Sequence, residues 1–335
     1  MKRLFWYLNI LLALATLVIY GLHYFPPSSH SFLLGATLFL PVCLAFNLLF
    51  VIYWLLKVNK KLLLSALILL LGIHWVKCYI AINPSNPSKK SQQKPIRIAS
   101  YNAHYLWYKG EKKNIYFQKE FKEQFLDSIQ PDILFFQEGT TDNYGNSVKS
   151  EFLYHFTISC RNSIYSKYPI LNSKSIELFG TKNRCIYSDL KIKEDTLRIY
   201  NIHLSSFKYP KTPKKLAKEG VKNIYKRLGT VFKTQEKQID VIASHIQESP
   251  YPVIICGDLN NLSNSYQYRK LTKEFAFKDT FIEAGNGLGT TYDFSYFPLR
   301  IDYIFVPKST KVLSHKVFKT KNWSDHYPIV SEIEL

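Results

Sequence analysis

The sequence predicts an α/β domain, with β-sheets packed on each other and covered by helices, behind three membrane-spanning helices. Two observations carry this prediction. The first 82 of the 335 residues contain no Asp or Glu and consist mainly of long apolar runs. From residue 95 onward, short apolar strands alternate with a few amphipathic helices. The chain is basic, with 44 Lys and Arg against 25 Asp and Glu and a net charge of +19, which favours anionic partners.

The three apolar runs lie at about residues 4–25, 32–56 and 62–82. A helix needs about 20 apolar residues to cross a bilayer, so each run is long enough. The first run also resembles a cleaved signal peptide, but no small-residue cleavage site follows it and two further runs do. We therefore expect a membrane anchor at residues 1–82. The Pro/Ser/Lys/Gln-rich residues 83–95 are expected to be a linker, and residues 96–335 a catalytic domain.

Charge predicts the orientation of this anchor. Lys2 and Arg3 precede the first run, and Lys57, Lys60 and Lys61 lie between the second and third, whereas the loop "PPSSHS" has no Lys or Arg. Because positive loops stay cytoplasmic, the amino terminus should face the cytoplasm and the catalytic domain the outside. We expect the anchor to lie in the inner membrane of a bacterium, which places the catalytic domain in the periplasm if the cell is Gram-negative.

Of the five cysteines, Cys160 and Cys185 could pair if the domain is extracytoplasmic. The sequence does not establish that they are close, so their pairing stays open. Cys256, inside an apolar strand, is expected to be a small buried side chain. No cysteine spacing indicates a structural zinc site.

Strand and helix patterns fill the rest of the chain. Helical spacing of apolar residues predicts helices at 115–130 and 230–248. Strands are expected at residues 96–103, 132–140, 161–171, 183–192, 196–206, 251–261, 299–306 and 324–335.

Eight polar side chains lie at or near the ends of these strands, in a neighbouring loop or, for Asp302, inside an apolar strand. They are Asn102, Glu138, His203, Asp258, Asn260, Asp302, Asp325 and His326. Each has an ordinary alternative, because "GDLN" alone is compatible with a simple turn. An ordinary structural role would have to apply to all eight residues at once, whereas one chemical role accounts for them together. Asn, Asp and Glu are hard oxygen ligands for Mg²⁺, Mn²⁺ or Ca²⁺, and histidines supply acid–base groups for an attacking water. This is the inventory of a phosphoester hydrolase.

The order of short motifs resembles the endonuclease/exonuclease/phosphatase superfamily. These motifs are "SYNAH", "FFQEG", "IYSKYPI", "YNIHLSS", "CGDLNN", "RIDYIFV" and "SDHYPI". The superfamily includes deoxyribonuclease I, exonuclease III, sphingomyelinases and inositol-polyphosphate 5-phosphatases. The resemblance covers residues 95–335 and implies a four-layer α/β-sandwich of two packed mixed sheets flanked by helices, with the active site at the mouth between the sheets.

The resemblance also implies a metal site for Mg²⁺ or Mn²⁺. Glu138 resembles the principal ligand, with Asn102 beside it and Asp325 as a further ligand. Two departures stand nearby: Leu259 replaces the usual Phe of the G-D-F-N tetrapeptide, and Asn261 replaces the Asp of many membrane-anchored relatives.

The same resemblance implies roles for the remaining site residues. His326 resembles the general base, oriented by Asp302, although subfamilies differ in how they use the central Asp258. Asp258 and Asn260 are expected to position the attacking water and hold the phosphate. His203 resembles the second histidine, which stabilises the phosphate or leaving group.

The motifs leave the substrate open, because this fold serves many phosphoesters. Nucleic acid, a phospholipid headgroup and a phosphorylated small molecule all fit as substrates. The N-terminal helices imply contact with a lipid bilayer, and no protein partner is implied. The alternatives are a decayed binding protein and a phosphomonoesterase acting on phospholipid headgroups or inositol phosphates. The basic residues 207–227 are either solvated surface, a clamp on a polyanion or a patch on anionic headgroups.

Overall fold

The computed structural model describes residues 2–83, 94–104, 107–108, 111–112, 122–139, 148, 151–158, 162–178, 184–208, 218–294, 299–319 and 324–335. The helices are α1 (Lys2–Leu22), α2 (Pro27–Leu34), α3 (Leu40–Leu56), α4 (Leu62–Leu71), α5 (Ile73–Tyr79), α6 (Asp127–Ile129), α7 (Val221–Gln247), α8 (Tyr266–Arg269) and α9 (Thr280–Ala284). A 3₁₀ segment, Gly35–Phe39, joins α2 to α3, and π turns occupy Lys122–Leu126 and Lys270–Glu274.

The strands follow in chain order. They are β1 (Ile80–Ile82), β2 (Ile96–Asn102), β3 (Trp107–Tyr108), β4 (Glu111–Lys112), β5 (Ile133–Gln137), β6 (Tyr154–Ile158), β7 (Asn162–Ser166), β8 (Ile170–Glu177), β9 (Arg184–Ile192), β10 (Asp195–His203), β11 (Val253–Asp258), β12 (Lys278–Asp279), β13 (Asn286–Leu288), β14 (Asp302–Val306), β15 (Lys311–Val317) and β16 (Ile329–Glu334).

Two mixed six-stranded sheets form the centre of the molecule. The first has the order β15-β16-β2-β5-β7-β6 and the second the order β12-β14-β11-β10-β9-β8. In each sheet one pair is parallel, β2 with β5 and β10 with β11, and the remaining neighbours are antiparallel. The predicted arrangement of two mixed sheets flanked by helices is confirmed.

The sheets pack through side chains that alternate along apolar strands. Ile98 and Phe135 of the first sheet share one buried cluster with Ile199, Ile254 and Ile304 of the second. All five are fully buried, and burying each such side chain contributes roughly 1.5–3 kcal/mol. This core holds the carboxyl ends of β2 and β5 opposite those of β10 and β11.

Helix α7 covers the outer face of the second sheet. Its Ile239, Ile242 and Ile246 pack into a cluster with strand residues. The helix begins well before the predicted residue 230, because the basic stretch ahead of it continues the same helix. On the first sheet, the structure describes only 122–130 of the predicted helix 115–130, as a π turn followed by α6; residues 115–121 lie outside the described part.

Two helical segments are long and apolar enough to cross a membrane, Lys2–Leu22 and Gly35–Leu56. The predicted third span at 62–82 is wrong as a single helix: α4 and α5 are bent by 72°, and together they reach the length of a span only as a broken pair. The break falls at Gly72, where a Cβ would overlap the ring of Tyr20. The Tyr20 hydroxyl donates a hydrogen bond to the Ile68 carbonyl there.

Beyond the bend, the chain is built into the second half of the molecule. Arg300 Nε donates to the Cys78 carbonyl at 2.9 Å, and Arg300 is itself paired with Asp279 at 2.7 Å. Strand β1 then pairs with β13, with Ile80 opposite Leu288. These contacts explain the bend, since a straight helix would pull β1 away from its partner strand. Most of the predicted linker, residues 84–93, lies outside the described residues.

Cys185 and Cys256 are buried free thiols in strands β9 and β11. Cys256 therefore takes the predicted role of a small core side chain. Cys160 lies outside the described residues.

Candidate active site

Strand register in the second sheet aligns three of the predicted site residues. His203 ends β10 and lies opposite Asp258 of the parallel strand β11. Asp258 in turn lies opposite Asp302, the first residue of the antiparallel strand β14. One row across three strands therefore carries an imidazole and two carboxylates, all of them buried.

The first sheet brings its polar strand ends to the same place. Asn102 ends β2 opposite Gln137 of β5, so Glu138 is the next residue beyond that strand. The Asn102 Nδ2 atom donates to Asp258 Oδ2 at 3.0 Å, which joins the two sheets at the site. Glu138 Oε1 lies 3.5 Å from His203 Nε2.

The loop before β16 contributes the last two predicted residues. His326 Nδ1 lies 2.9 Å from Asp302 Oδ2, while its Nε2 points towards Asp258 Oδ2 at 3.9 Å. Ser324 fixes this loop, because its Oγ donates to the Asn102 carbonyl and accepts the His326 backbone N–H. The ring of Tyr292 packs edge-on against His326 at 4.8 Å.

Burial and neighbouring charges shift the proton affinities of this group. Burial by itself would lower the pKa of His326, but the carboxylates of Asp302, Asp258 and Asp325 outweigh it and raise the pKa to about 10. Burial and the charge of Asp302 raise the pKa of Asp258. These directions favour the protonated form of His326 and make Asp258 more basic than an ordinary carboxylate.

Asp258 is held from three sides in a tight turn. Its Oδ1 accepts the Asn260 backbone N–H at 2.6 Å, and its Oδ2 accepts from Asn260 Nδ2 at 3.0 Å. Asn260 Nδ2 also donates to the Leu204 carbonyl, so both amide hydrogens are engaged within the protein. Asn260 adopts a left-handed φ of 49°, a strained backbone that is common at functional sites.

The carboxylates of Glu138 and Asp325 converge on His104. Their Oε2 and Oδ1 atoms lie 3.3 and 3.7 Å from Nδ1 of His104. Burial alone would raise the pKa of Glu138, but its hydrogen bond with His104 and the charge of His203 lower it, so this carboxylate stays ionised. Glu138 also has a left-handed φ, 50°, and a partly exposed side chain. Ionised oxygen donors that meet at one position fit a hard divalent cation.

A second group of potential ligands lies deeper. Ligand atoms of Asp258, Asp302 and His326 all fall within 4.8 Å of one another. These atoms are already paired, since Asp302 bonds to His326 Nδ1 and three N–H groups donate to Asp258. Asp258, Asp302 and His326 are therefore better suited to transferring protons than to binding a metal. The partly exposed carboxylate of Glu138 is better suited to binding a metal.

A cavity of about 330 Å³ opens over these groups. Six of the eight predicted residues line it, and His203 and Asp302 support them from behind. His104 and Tyr292 also line the cavity but were not predicted from the sequence, whereas the lining residue Lys208 belongs to the basic residues 207–227 considered above as a clamp. His104 lay inside the quoted "SYNAH" stretch, two residues after Asn102, and its position there was the available signal.

One wall of the cavity is apolar. It is formed by Leu38, Phe207, Leu262, Leu299 and Ile301. Leu38 comes from the 3₁₀ segment that begins the second apolar helical segment, and all five residues belong to one buried cluster. No sequence pattern placed Leu38 at the site, because the other four residues of this wall lie more than 160 positions away along the chain.

Comparison with known proteins identifies the two parts of the chain separately. Residues 100–326 match the model of the Endonuclease/Exonuclease/phosphatase family. Residues 2–79 match a domain of unknown function, DUF8431. No curated protein matched the chain.

Solved structures share the fold. An endonuclease/exonuclease/phosphatase from Bacteroides vulgatus is 19% identical with a TM-score of 0.56, covering 72% of this chain and all of its own (100%). D. rerio TDP2 in complex with a single-strand DNA product is 18% identical with a TM-score of 0.55, covering 72% and 100%. The human Nocturnin catalytic domain with bound sulfate is 18% identical with a TM-score of 0.54, covering 72% and 94%.

The family match spans more than two thirds of the chain, and the strand ends, the triad and the paired carboxylates described above all lie within it. At these identities the solved structures support the fold alone. The chain belongs to the endonuclease/exonuclease/phosphatase family.

Proposed function

We propose that the protein is a membrane-anchored phosphoester hydrolase that depends on Mg²⁺ or Mn²⁺ and activates water with an Asp/His pair. Family membership supports hydrolysis of a phosphoester. Metal dependence and water activation by an Asp/His pair are proposed from one observation. The contacts from Asp302 through His326 to Asp258 lie beside the converging carboxylates of Glu138 and Asp325.

In this proposal Glu138 holds the cation, with Asp325 and Asn102 completing the protein's share of ligands. When bound, the cation polarises a phosphoryl oxygen and offsets its negative charge. His104 lies against the same two carboxylates, so it must turn aside when a cation binds. His104 has a partly exposed side chain, which leaves it room to move.

Water activation is assigned to the pair of Asp258 Oδ2 and His326 Nε2. The raised pKa makes Asp258 a stronger base than an ordinary carboxylate, whereas the raised pKa of His326 and its bond to Asp302 favour an imidazolium that has no free site for a proton. His326, oriented by Asp302, then acts as a cation beside the phosphate. This changes the role expected from the resemblance, in which His326 itself takes the proton.

The proposed reaction is hydrolysis of a P–O bond by one water molecule. The water oxygen bonds to phosphorus as Asp258 takes its proton, and the P–O bond to the leaving group breaks. His203, 3.8 Å from Asp258, stabilises the leaving oxygen, which takes up a proton from solvent as it departs, and Asp258 returns its accepted proton to solvent. Asn260 is a positioning residue, because both hydrogens of its Nδ2 are spent on the Asp258 carboxylate and the Leu204 carbonyl.

We also propose the domain division behind this function. Residues 1–82 form the anchor, whose last part, α5 and β1, contacts the catalytic part. Residues 83–95 form the linker, and residues 96–335 carry the chemistry. The two apolar helices support anchorage. The segment between these helices contacts the catalytic part, because Ser28 donates two hydrogen bonds to Glu236 of α7. This contact supports placing that segment and the catalytic part on the same side of the membrane.

A substrate panel on the full chain tests the proposal. Single- and double-stranded DNA, RNA, sphingomyelin, phosphoinositides and a chromogenic bis-ester are offered with Mg²⁺ and with EDTA. We expect hydrolysis of at least the bis-ester, abolished by EDTA and restored by Mg²⁺ or Mn²⁺. Absence of hydrolysis across the panel with either metal would contradict the proposed function.

A further inference from the structure

A second, larger cavity lies on the other side of the apolar wall of the active site. It has a volume of about 700 Å³, within the roughly 300–1,000 Å³ range of small-molecule sites. Apolar side chains of α3, α4 and α5 form most of its lining, and Leu288 and Leu299 close it from the catalytic side. Among the described lining residues the charged one is Arg300, whose charge is paired with Asp279.

This cavity adjoins the active site. Leu299 lines both cavities. It is bridged through its backbone to Tyr292, which is bridged in turn to His326. The 3₁₀ segment contributes Leu38 to the active-site side, and α3 begins immediately afterwards and contributes Pro41 and Leu44 to the other side. The hydrocarbon-lined space and the active-site cavity therefore meet at Leu299.

The short α4 places the cavity at membrane depth. Its ten residues rise about 15 Å, roughly half of the 30 Å hydrocarbon core, before the chain bends. Helix α5 therefore starts within the bilayer, and β1 follows it to its pairing with β13 of the catalytic part. The exposed residues around it agree: Ile80, Ile82 and Leu288 are 44%, 83% and 49% exposed, which suits a lipid boundary and is costly in water.

We infer that the substrate is a lipid phosphoester, whose hydrocarbon chain occupies this cavity while its phosphate is hydrolysed in the adjacent site. The inference rests on the proposed function. It selects among the substrates that the family chemistry leaves open, because a polynucleotide offers no group that such a cavity would recognise, whereas a lipid places a phosphoester and a hydrocarbon chain side by side.

The test uses the full chain in detergent and a series of p-nitrophenyl alkyl phosphodiesters, from methyl to dodecyl, in the presence of Mg²⁺. Two substitutions fill the cavity from opposite helices, Ala66→Phe on α4 and Ala45→Phe on α3. The matched control is Ala15→Phe, since Ala15 is an exposed residue of α1 outside the cavity lining. Partitioning of long chains into micelles is the same for every variant, so ratios between variants isolate the cavity.

We expect each cavity variant to hydrolyse the methyl ester like the wild type and to lose kcat/KM progressively as the chain lengthens, by about tenfold or more at dodecyl. A fully buried methylene corresponds to about fourfold, so a few lost contacts suffice. The Ala15→Phe variant should keep the wild-type ratio at every length. Where one cavity variant unfolds early in a thermal melt, the other provides the comparison.

Other outcomes are distinguishable. If the wild type cleaves the methyl ester but both cavity variants match it at every chain length, the proposed function stands and the lipid inference is overturned. Faster cleavage of an oligonucleotide than of the dodecyl ester also overturns it. If no ester is cleaved with Mg²⁺ or Mn²⁺, the proposed function itself fails.

Discussion

At the residue scale, the site is built from side chains whose neighbours fix both position and charge. Asp302 holds His326 by Nδ1, and Asn102 and Asn260 hold Asp258. The sequence could supply these residues, because each lies within or beside an expected apolar strand, where a polar side chain stands out. It could not supply their proton affinities, which arise from burial and from carboxylates that only the fold brings within 4 Å.

The first prediction tests whether His326 and Asp302 act as one unit. His326→Gln and Asp302→Asn should each lower kcat by about 10² or more, because either change removes the oriented imidazolium. The double variant should lose no more than the worse single one. Steady-state kinetics on the bis-ester measure this, with Asp195→Asn at an exposed strand end as the control. Losses that multiply would show two independent roles.

The second prediction concerns His315, away from the active site. Its Nδ1 is hydrogen-bonded with Thr280 and Ser331, each at 2.9 Å, and burial lowers its pKa to about 4, with Asp279 opposing and Arg300 adding to the shift. The folded state therefore favours the neutral ring. Its contribution to stability is complete above pH 6.5 and is lost as the pH falls towards 4.

That loss should amount to about 3 kcal/mol. Thermal midpoints of the full chain between pH 7 and pH 4 measure it. His315→Gln should flatten the decline over this window, and His155→Gln, at an exposed position, should leave it unchanged. The same decline in wild type and His315→Gln would contradict the assignment.

At the element scale, strand register determines the site. Strands β10, β11 and β14 align His203, Asp258 and Asp302 because the sheet pairs them residue by residue. Apolar alternation predicted these strands within a few residues. It did not predict β1, β3, β4, β6, β12, β13 or β15, which are short or partly exposed elements without a continuous apolar pattern. The predicted strand 161–171 is also wrong as one strand, because it covers β7 and the start of the mostly exposed strand β8.

The third prediction concerns Gly257, which precedes Asp258 in β11. Its φ is 133°, and a Cβ there would overlap the Ile202 backbone carbonyl of β10. Gly257→Ala should therefore push the two strands apart, lowering the thermal midpoint and the activity together. The control is Gly220→Ala, which has a positive φ of 76° and no neighbour within 4 Å of the added Cβ. It should cost only about 1 kcal/mol of backbone strain, and equal effects of the two changes would contradict the packing argument.

At the scale of the whole molecule, the apolar helices and the catalytic part are one continuous structure. Sequence patterns treated residues 62–82 as a third crossing because hydropathy does not register a bend. The structure divides that stretch at Gly72 and pairs its end with β13. Residues 209–217 of the basic stretch lie outside the described part, so its role as clamp, patch or solvated surface stays a prediction.

The fourth prediction concerns topology. Charge asymmetry places the amino terminus in the cytoplasm and the catalytic part outside, and the Ser28–Glu236 contact requires the loop after α1 to share that side. Alkaline phosphatase fused after residue 95 should be active, and green fluorescent protein fused there should be dark. A matched pair of fusions after Lys60 should give the opposite pattern. A reversed result at residue 95 would overturn the orientation.

The central claim is that a divalent cation held by Glu138 drives phosphoester hydrolysis, and a Mg²⁺ titration of Glu138→Gln tests it most directly. The change keeps the size of the side chain and removes one charged ligand. We predict a large rise in the Mg²⁺ concentration needed for half-maximal hydrolysis of the bis-ester, with an unchanged thermal midpoint in EDTA. Glu177→Gln, whose side chain is 83% exposed and paired with Arg184, should titrate like the wild type. Full activity of Glu138→Gln at limiting Mg²⁺ would contradict the account.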